Sequence, residues 1–179
     1  MKILIVVASQ TGRTRRMAES FAEGACSASS EIEAEVVDAA AVEAPQVEAA
    51  DALVLGSGVH MGGMESEMRA FFERIAPLWM QGKLIGRIGA AFASAGNGGR
   101  GGGELTLISL WAHLAEHGML LVPMHNRVRG YAAAGCHWGP LAWTNPREGE
   151  AGPTSDHLEA AFGHGQHVAE VCLGRLTGR

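Results

Sequence analysis

The sequence predicts an α/β protein built on a doubly wound, five-stranded parallel sheet of order 2-1-3-4-5. Three observations carry this. Apolar runs and helical patterns alternate five times along the 179 residues. The runs are mostly continuous rather than alternating, as in strands covered on both faces. Each of the first, third and fourth runs ends in a turn rich in glycine and hydroxyl residues that opens a helix, the arrangement of consecutive βα units.

The elements follow in order. KILIVVA (2–8) is the first strand, and a helix from Gly12 to about Ala28 carries Met17, Phe21 and Ala25 at four-residue spacing. EIEAEVVDA (31–39) is a weaker, alternating strand, and DALVLGSG (51–58) is the third. A helix over Glu65–Ile75 sets Met68, Phe71, Phe72 and Ile75 on one face. GRIGAAFAS (86–94) is the fourth strand; a glycine tract and a helix over Glu104–His117 follow, then GMLLVPM (118–124) as the fifth strand. The last helix starts at Thr154 or Ser155, a capping residue just after Pro153, and turns Leu158, Phe162, Val168, Val171 and Cys172 inward. Gly163 and Gly165 are unfavourable inside it. Residues from about 125 to 153 read as a long loop insertion rich in Gly, Pro, His and Trp, and a loop of that length in a compact domain is usually functional. With no repeat and no linker, residues 1–179 read as a single domain.

The bulk composition excludes several classes. It is 47% hydrophobic and 18% charged, with a formal net charge of −5, which argues against a dedicated nucleic-acid binder. No apolar run is long enough to span a bilayer, and MKILIVVASQTG reads as a strand rather than a signal peptide. Cys26, Cys136 and Cys172 are odd in number with no CxxC, which suits a reducing cytoplasm. Cys26 and Cys172 read as small buried hydrophobes.

In the order 2-1-3-4-5 the first, third and fourth strands are neighbours, so their C-terminal loops meet at one crevice. The first, SQTGRT, offers Ser9, Thr11 and Thr14 hydroxyls, a tight turn at Gly12 and the free N–H groups of a helix N-terminus, which together make a phosphate nest. It is not a P-loop, because the lysine and spacing of that motif are missing. Arg13, Arg15 and Arg16 crowd the positive end of the helix, an arrangement that needs a nearby anion. As a plain capped helix start, Arg15 would instead pair with Glu19. The second loop, GSGVHMGGME, has glycines at 56, 58, 62 and 63 that admit a flat ligand; Ser57 and His60 supply polar contacts, Val59 and Met61 apolar ones. In a ligand-free reading, Met61 and Met64 would pack into the core. The third loop contains GxGxxG at Gly96, Gly98 and Gly101, but a dinucleotide fingerprint belongs to the first βα turn of its fold. A glycine-rich lip over a cofactor ring, with Asn97 as a side-chain contact, is the better reading.

Strand–SxTGxT–helix resembles the phosphate loop of flavodoxins. Nearly the whole chain resembles the tryptophan-repressor-binding-protein A (WrbA-like) family of NAD(P)H:quinone oxidoreductases. The stretches that carry this are GSGVHMGGMESEMRAFFER, PLWMQGKLIGRIGAAFASAG, GGGELTLISLWAHLAEHGMLLVP, VRGYAAAGCHWGP and TSDHLEAAFGHGQHVAEV. The resemblance implies a flavodoxin-like three-layer sandwich with FMN as cofactor. It implies phosphate contacts from Ser9, Gln10, Thr11, Gly12, Arg13 and Thr14. The ring would lie against Gly58, Val59 and His60 and against Ser94, Ala95, Gly96, Asn97, Gly98 and Gly99, with His117 also reaching the flavin site. Thr11 matches a position lining the nicotinamide pocket, and Trp79 an aromatic of the substrate pocket that is often contributed across a subunit interface. The implied activity is two-electron quinone reduction by NAD(P)H in a ping-pong sequence, in a cytoplasmic homo-oligomer, dimer or tetramer. No catalytic side chain is expected, because the cofactor carries the chemistry. A flavodoxin-like electron carrier and a flavin-free interaction module are the alternatives. The chain departs from the family in having Gly58-Val59-His60-Met61 where Pro-Thr-Arg-Phe is common, and in a shorter connection between strands two and three.

HLAEH (113–117) formally matches an H-x-x-E-H zinc pattern, but no further ligand stands out and no metal is expected. His164 and His167 read as solvated or locally satisfied, and Trp111 as core.

Overall fold

A computed structural model of the protein describes residues 1–96, 100–145 and 151–174. Along the chain, β1 (Lys2–Ala8) leads through α1 (Arg13–Ala28) to β2 (Glu33–Asp38). A short α2 (Ala44–Glu48) precedes β3 (Ala52–His60), which a two-residue turn folds back into β4 (Gly63–Met64). Then come α3 (Ser66–Met80), β5 (Ile88–Gly96), α4 (Arg100–Glu116) and β6 (Leu120–Leu121). The chain ends with α5 (Tyr131–Ala134), β7 (Gly135–Cys136), β8 (Gly139–Asn145) and α6 (Ser155–Cys172).

The sheet order is β2-β1-β3-β5-β8, parallel throughout, with β7 antiparallel at the edge. This is the flavodoxin-like order 2-1-3-4-5 with a divided fifth position. The segment expected as the fifth strand, 118–124, contributes only Leu120–Leu121, paired with Ile88–Gly89 at the base of β5. The chain then leaves the sheet, and β8 returns to pair with Ala93–Gly96 at the top. Part of the stretch read as loop is therefore strand. The apolar signal of GMLLVPM reflects burial of Met119, Val122 and Met124 beside the sheet rather than continuous pairing.

Burial explains the continuous apolar runs. Ile3, Ile5 and Val7 pack with Met17 and Phe21 of α1 and Val168 of α6 on one face. Leu4 and Val6 pack with Met68, Phe71 and Ile75 of α3 and Leu107 and Leu110 of α4 on the other. Alternate side chains of one strand thus enter two cores, and each fully buried Ile or Leu contributes roughly 1.5–3 kcal/mol. Helix α3 continues five residues beyond Ile75, with Leu78 buried in the core, although Pro77 removes one N–H from its final turn. Helix α6 starts where its signal placed it, with Thr154 and His157 forming a reciprocal cap.

The glycines of α6 are required by close backbone neighbours, Arg129 O beside Gly163 and α1 beside Gly165. A Cβ on Gly165 would overlap the carbonyl of Phe21, and one on Gly24 would overlap the carbonyl of Phe162. Two further expectations are corrected here. Cys26 is exposed, on the outer face of α1, whereas Cys136 and Cys172 are partly buried; all three are free thiols. His164 is 0% exposed, lies against the Phe21 ring and donates from Nε2 to Val122 O at 3.0 Å. No helix among the described residues is long and apolar enough to cross a membrane.

Gly165→Ala gains about 1 kcal/mol of helix propensity but places a methyl against backbone that cannot yield, a cost of about 1–3 kcal/mol or more. The clash wins, and the melting temperature should fall by several degrees in a calorimetric scan. Burial lowers the His164 pKa from 6.5 to about 4. The unfolded chain therefore takes up this proton first. The stability due to neutral His164 is complete above the unfolded pKa and is lost as pH falls through the folded one, up to roughly 3 kcal/mol. Urea unfolding between pH 7.5 and 4.5 should show the decline, and His164→Gln should reduce its slope.

Candidate functional site

Parallel strands deliver their following loops to one edge of the sheet, and hydrogen bonds tie these loops together. Thr14 Oγ1 and Ser94 Oγ lie 2.8 Å apart, joining the first turn of α1 to the end of β5. Both hydroxyls are buried. Gln10 N–H donates to Glu65 Oε2 at 3.1 Å, joining the β1–α1 loop to the start of α3. Arg13 Nη1 donates to Thr144 Oγ1 at 3.4 Å, and Thr144 Oγ1 donates to Ala95 O at 3.2 Å, adding β8 to the rim. A Cβ on Gly102 would come within 2.8 Å of Val59 Cγ1, so α4 begins directly against the second loop.

The first loop has the form of an anion site. Gly12 is the N-cap residue of α1 at φ 77, a left-handed conformation suited to glycine, and it has no side chain with which to cap the helix. Ser9 Oγ accepts the Arg15 N–H at 3.3 Å, while Gln10, Thr11 and Gly12 are exposed at the mouth. The arginines find separate partners. Arg15 pairs with Asp38 at the end of β2 rather than with Glu19, Arg13 reaches Thr144, and Arg16 is exposed.

The second loop is a hairpin in which Val59 pairs with Met64 and His60 with Gly63. Its two central residues, Met61 at φ 51 and Gly62 at φ 85, both lie in the left-handed region, as a primed turn requires. Asn, Asp or Gly would be usual at the first of these. Met61 instead holds a strained conformation while 95% exposed, so it is not a core residue. The sequence places Met61 in this loop as an apolar contact, and the structure holds that side chain exposed at the tip of the hairpin. Ser94, Ala95 and Gly96 end β5 at the same crevice; Asn97, Gly98 and Gly99 lie outside the described residues.

Two implied residues are not brought to these loops within the chain. Helix α3 runs about 22 Å down the sheet at 1.5 Å per residue, and α4 descends beside it. The ends of both helices therefore sit at the opposite edge, where Gly86 N–H donates to Gly118 O at 2.9 Å. There Trp79 and His117 line a cleft of about 180 Å³ with Phe72, Glu73, Ala76, His113 and Glu116. His113 stacks on Phe72 at 3.7 Å between ring centroids. His117 is 8% exposed, its Nδ1 has no partner among the described residues, and burial lowers its pKa, favouring the neutral ring. No metal-ligand cluster occurs among the described residues.

Glu65 was not singled out by its sequence context, where it reads as the first residue of a helix. The signal available was an acid directly after a glycine-rich turn. Its carboxylate stands in the crevice, 6% exposed, and burial raises its pKa against the opposing pull of the Gln10 hydrogen bond.

A doubly wound sheet of this order defines the flavodoxin-like class, and residues 4–88 match the family model described as a flavodoxin domain. The chain is 33% identical over its full length to a Geotalea daltonii protein named NAD(P)H dehydrogenase (quinone), covering all of that protein. It is 32% identical to a protein of the same name from Rhizobium rhizogenes, over 95% of this chain and 96% of that one. Among solved structures, a flavodoxin, WrbA-like protein from Agrobacterium tumefaciens is 28% identical with a TM-score of 0.71, covering 97% of this chain and 98% of that one. The chain belongs to the WrbA-like NAD(P)H:quinone oxidoreductase family of flavodoxin-like proteins.

Met61→Gly removes the left-handed penalty without disturbing a packed contact. It should stabilise the protein by up to about 1 kcal/mol, which raises the melting temperature by roughly 2–4 °C for a chain of this size.

Proposed function

We propose that residues 1–179 form one FMN-binding domain acting as an NAD(P)H:quinone oxidoreductase. The observation that carries this reading is the tying together of three loops, distant in sequence, around a helix N-terminus whose cap residue, Gly12, has no side chain. The donor set fits a phosphate: Gly12 offers the N–H groups opening α1 no side-chain cap, and Ser9 Oγ accepts the Arg15 N–H. The neighbouring Gln10 N–H is already bonded to a carboxylate, so the nest selects anions. In this assignment Ser9, Gln10, Thr11, Gly12, Arg13 and Thr14 hold the phosphate. The hydrogen bond between Thr14 and Ser94 keeps the phosphate loop in register with the end of β5. Gly58, Val59, His60, Ser94, Ala95 and Gly96 border the ring, and the assignment extends to Asn97, Gly98 and Gly99, which lie outside the described residues.

Bound FMN supplies two-electron chemistry between NAD(P)H and a quinone. The chain positions the reactants and excludes water, and no side chain needs to act as nucleophile. NAD(P)H and quinone occupy the same mouth in turn, beside Thr11. Trp79 and His117 lie at the far edge of the sheet, so they serve this mouth only from a neighbouring copy, and the protein works as a homo-oligomer. Helix α4 supports that assembly: Leu105 and Ile108 remain exposed at 60% and 44%, outside a face already filled by Leu107, Leu110 and Leu114. A helix apolar on both sides is suited to burial. The unpaired thiols suit a reducing cytoplasm.

Titration with FMN should quench tryptophan fluorescence at one equivalent per chain. With the cofactor loaded, NAD(P)H should be oxidised by a soluble quinone with parallel double-reciprocal lines. Binding of FMN without NAD(P)H oxidation by any quinone tested would remove the enzymatic assignment. Thr14→Val should weaken FMN binding by about tenfold, the order expected when a buried hydroxyl loses its partner.

A further inference from the structure

The nest after β1 already contains an anion belonging to the protein itself. Glu65 is the N-cap residue of α3, where a carboxylate ordinarily folds onto the free N–H groups of its own helix, yet it makes no such bond. Instead it reaches the other loop, and both its oxygens approach the Gln10 N–H, at 3.1 and 3.4 Å. Its own N–H donates to Ser57 Oγ at 3.0 Å, which fixes the backbone and aims the side chain into the crevice. Space for the carboxylate comes from Gly58. A Cβ at Gly58 would overlap Glu65 Oε1 and lie 3.5 Å from Thr14 Oγ1. The departure from the family's proline at this position therefore has a local physical correlate: Gly58 and Glu65 fit as a pair.

We propose that Glu65 is an internal competitor for the cofactor phosphate, so that FMN is taken up only as this carboxylate swings away or is protonated. The proposal rests on the FMN reading above. Two anions cannot share one N–H donor in a buried site without strong repulsion. The titratable groups acting on Glu65 are His60 at the end of β3, which favours the charged form, and Glu67 on α3, which opposes it. From the β1–α1 loop the uncharged Gln10 N–H donates to it, and among the described residues no charged group of that loop or of α1 acts on its titration. Desolvation is the largest influence and raises its pKa, so falling pH neutralises it earlier than an exposed glutamate. FMN affinity of the natural protein should therefore rise on acidification relative to a variant lacking the charge. The second ionisation of the phosphate changes FMN affinity in both proteins and adds repulsion only where Glu65 is charged, so the ratio of the two affinities reports that charge.

The test is a flavin-fluorescence titration of the full chain, Glu65→Gln and Glu65→Ala with FMN and with riboflavin from pH 5.5 to 8.5. At pH 8 both variants should bind FMN at least tenfold tighter than the natural protein, with riboflavin affinity unchanged, and the FMN advantage should shrink as pH falls. Equal FMN affinity in all three proteins overturns the proposal. Weaker binding in the variants does so too, because the carboxyl would then help to hold the phosphate. A parallel change for riboflavin also overturns it, since the effect would be a general reshaping of the site. If none of the three binds either flavin, the FMN reading fails separately, and inorganic phosphate decides the competitor: a shift of the Gln10 amide resonance by phosphate in Glu65→Ala and not in the natural protein supports it, and no shift in either overturns it.

Discussion

Parallel pairing of β1, β3 and β5 is the constraint on which the rest depends. Parallel strands cannot be joined by tight turns, so each must be followed by a crossover that returns along the face of the sheet. Every loop leaving a strand then emerges at one edge, and every helix runs back to the other. The cost is a sheet with two faces to cover. The chain meets it with strands such as β1, whose residues from Ile3 to Val7 are all at 0% exposure and feed two separate cores. Once those strands are seated, Ser9–Thr14 and Gly58–Met64 are brought to one crevice, and Ser94 is placed within reach of Thr14.

Electrostatics at that crevice are arranged across elements rather than within them. Helix α1 begins with three arginines and no acid or capping side chain in its first turn. The compensating groups come from elsewhere: Asp38 from the end of β2, Thr144 from β8 and Glu65 from the start of α3. An isolated helix with this sequence would be poorly started, because like charge at its positive end is unfavourable. Its stability is therefore tertiary, and the same arrangement that stabilises it leaves N–H groups facing the crevice. Met61, held in the left-handed region at the tip of the hairpin, is a second place where local preference yields to the needs of the mouth.

The edge opposite the mouth has a different character. Its cleft combines Trp79, the stacked Phe72–His113 pair and a nearly buried His117. These residues stand close because α3 and α4 both end there. The descent of two helices also separates them from the loops of their own chain by the height of the sheet. Any role for them at a cofactor thus belongs to an assembly of chains, and the exposed apolar residues of α4 are consistent in chemistry with such an assembly.

Most of the architecture was legible locally. Continuous apolar runs marked β1, β3 and β5, four-residue spacing marked α1 and α3, and Thr154 marked the start of α6, because these signals arise from burial and hydrogen bonding within a few residues. The divided fifth strand was hidden, since Met119 and Val122 are apolar for reasons of packing rather than pairing. Gly163 and Gly165 looked like helix breakers until the Arg129 backbone was seen against the first and α1 against the second. His164 looked ordinary until Val122 and Phe21 enclosed it. The sequence alone determined the succession of strands and helices and the residue types of the loop after β1, because periodicity and turn residues are properties of neighbouring positions. Which partners Thr14, Arg15 and Glu65 take, and which edge holds Trp79 and His117, was decided by the tertiary structure, because those contacts join positions whose separation along the chain carries no signal.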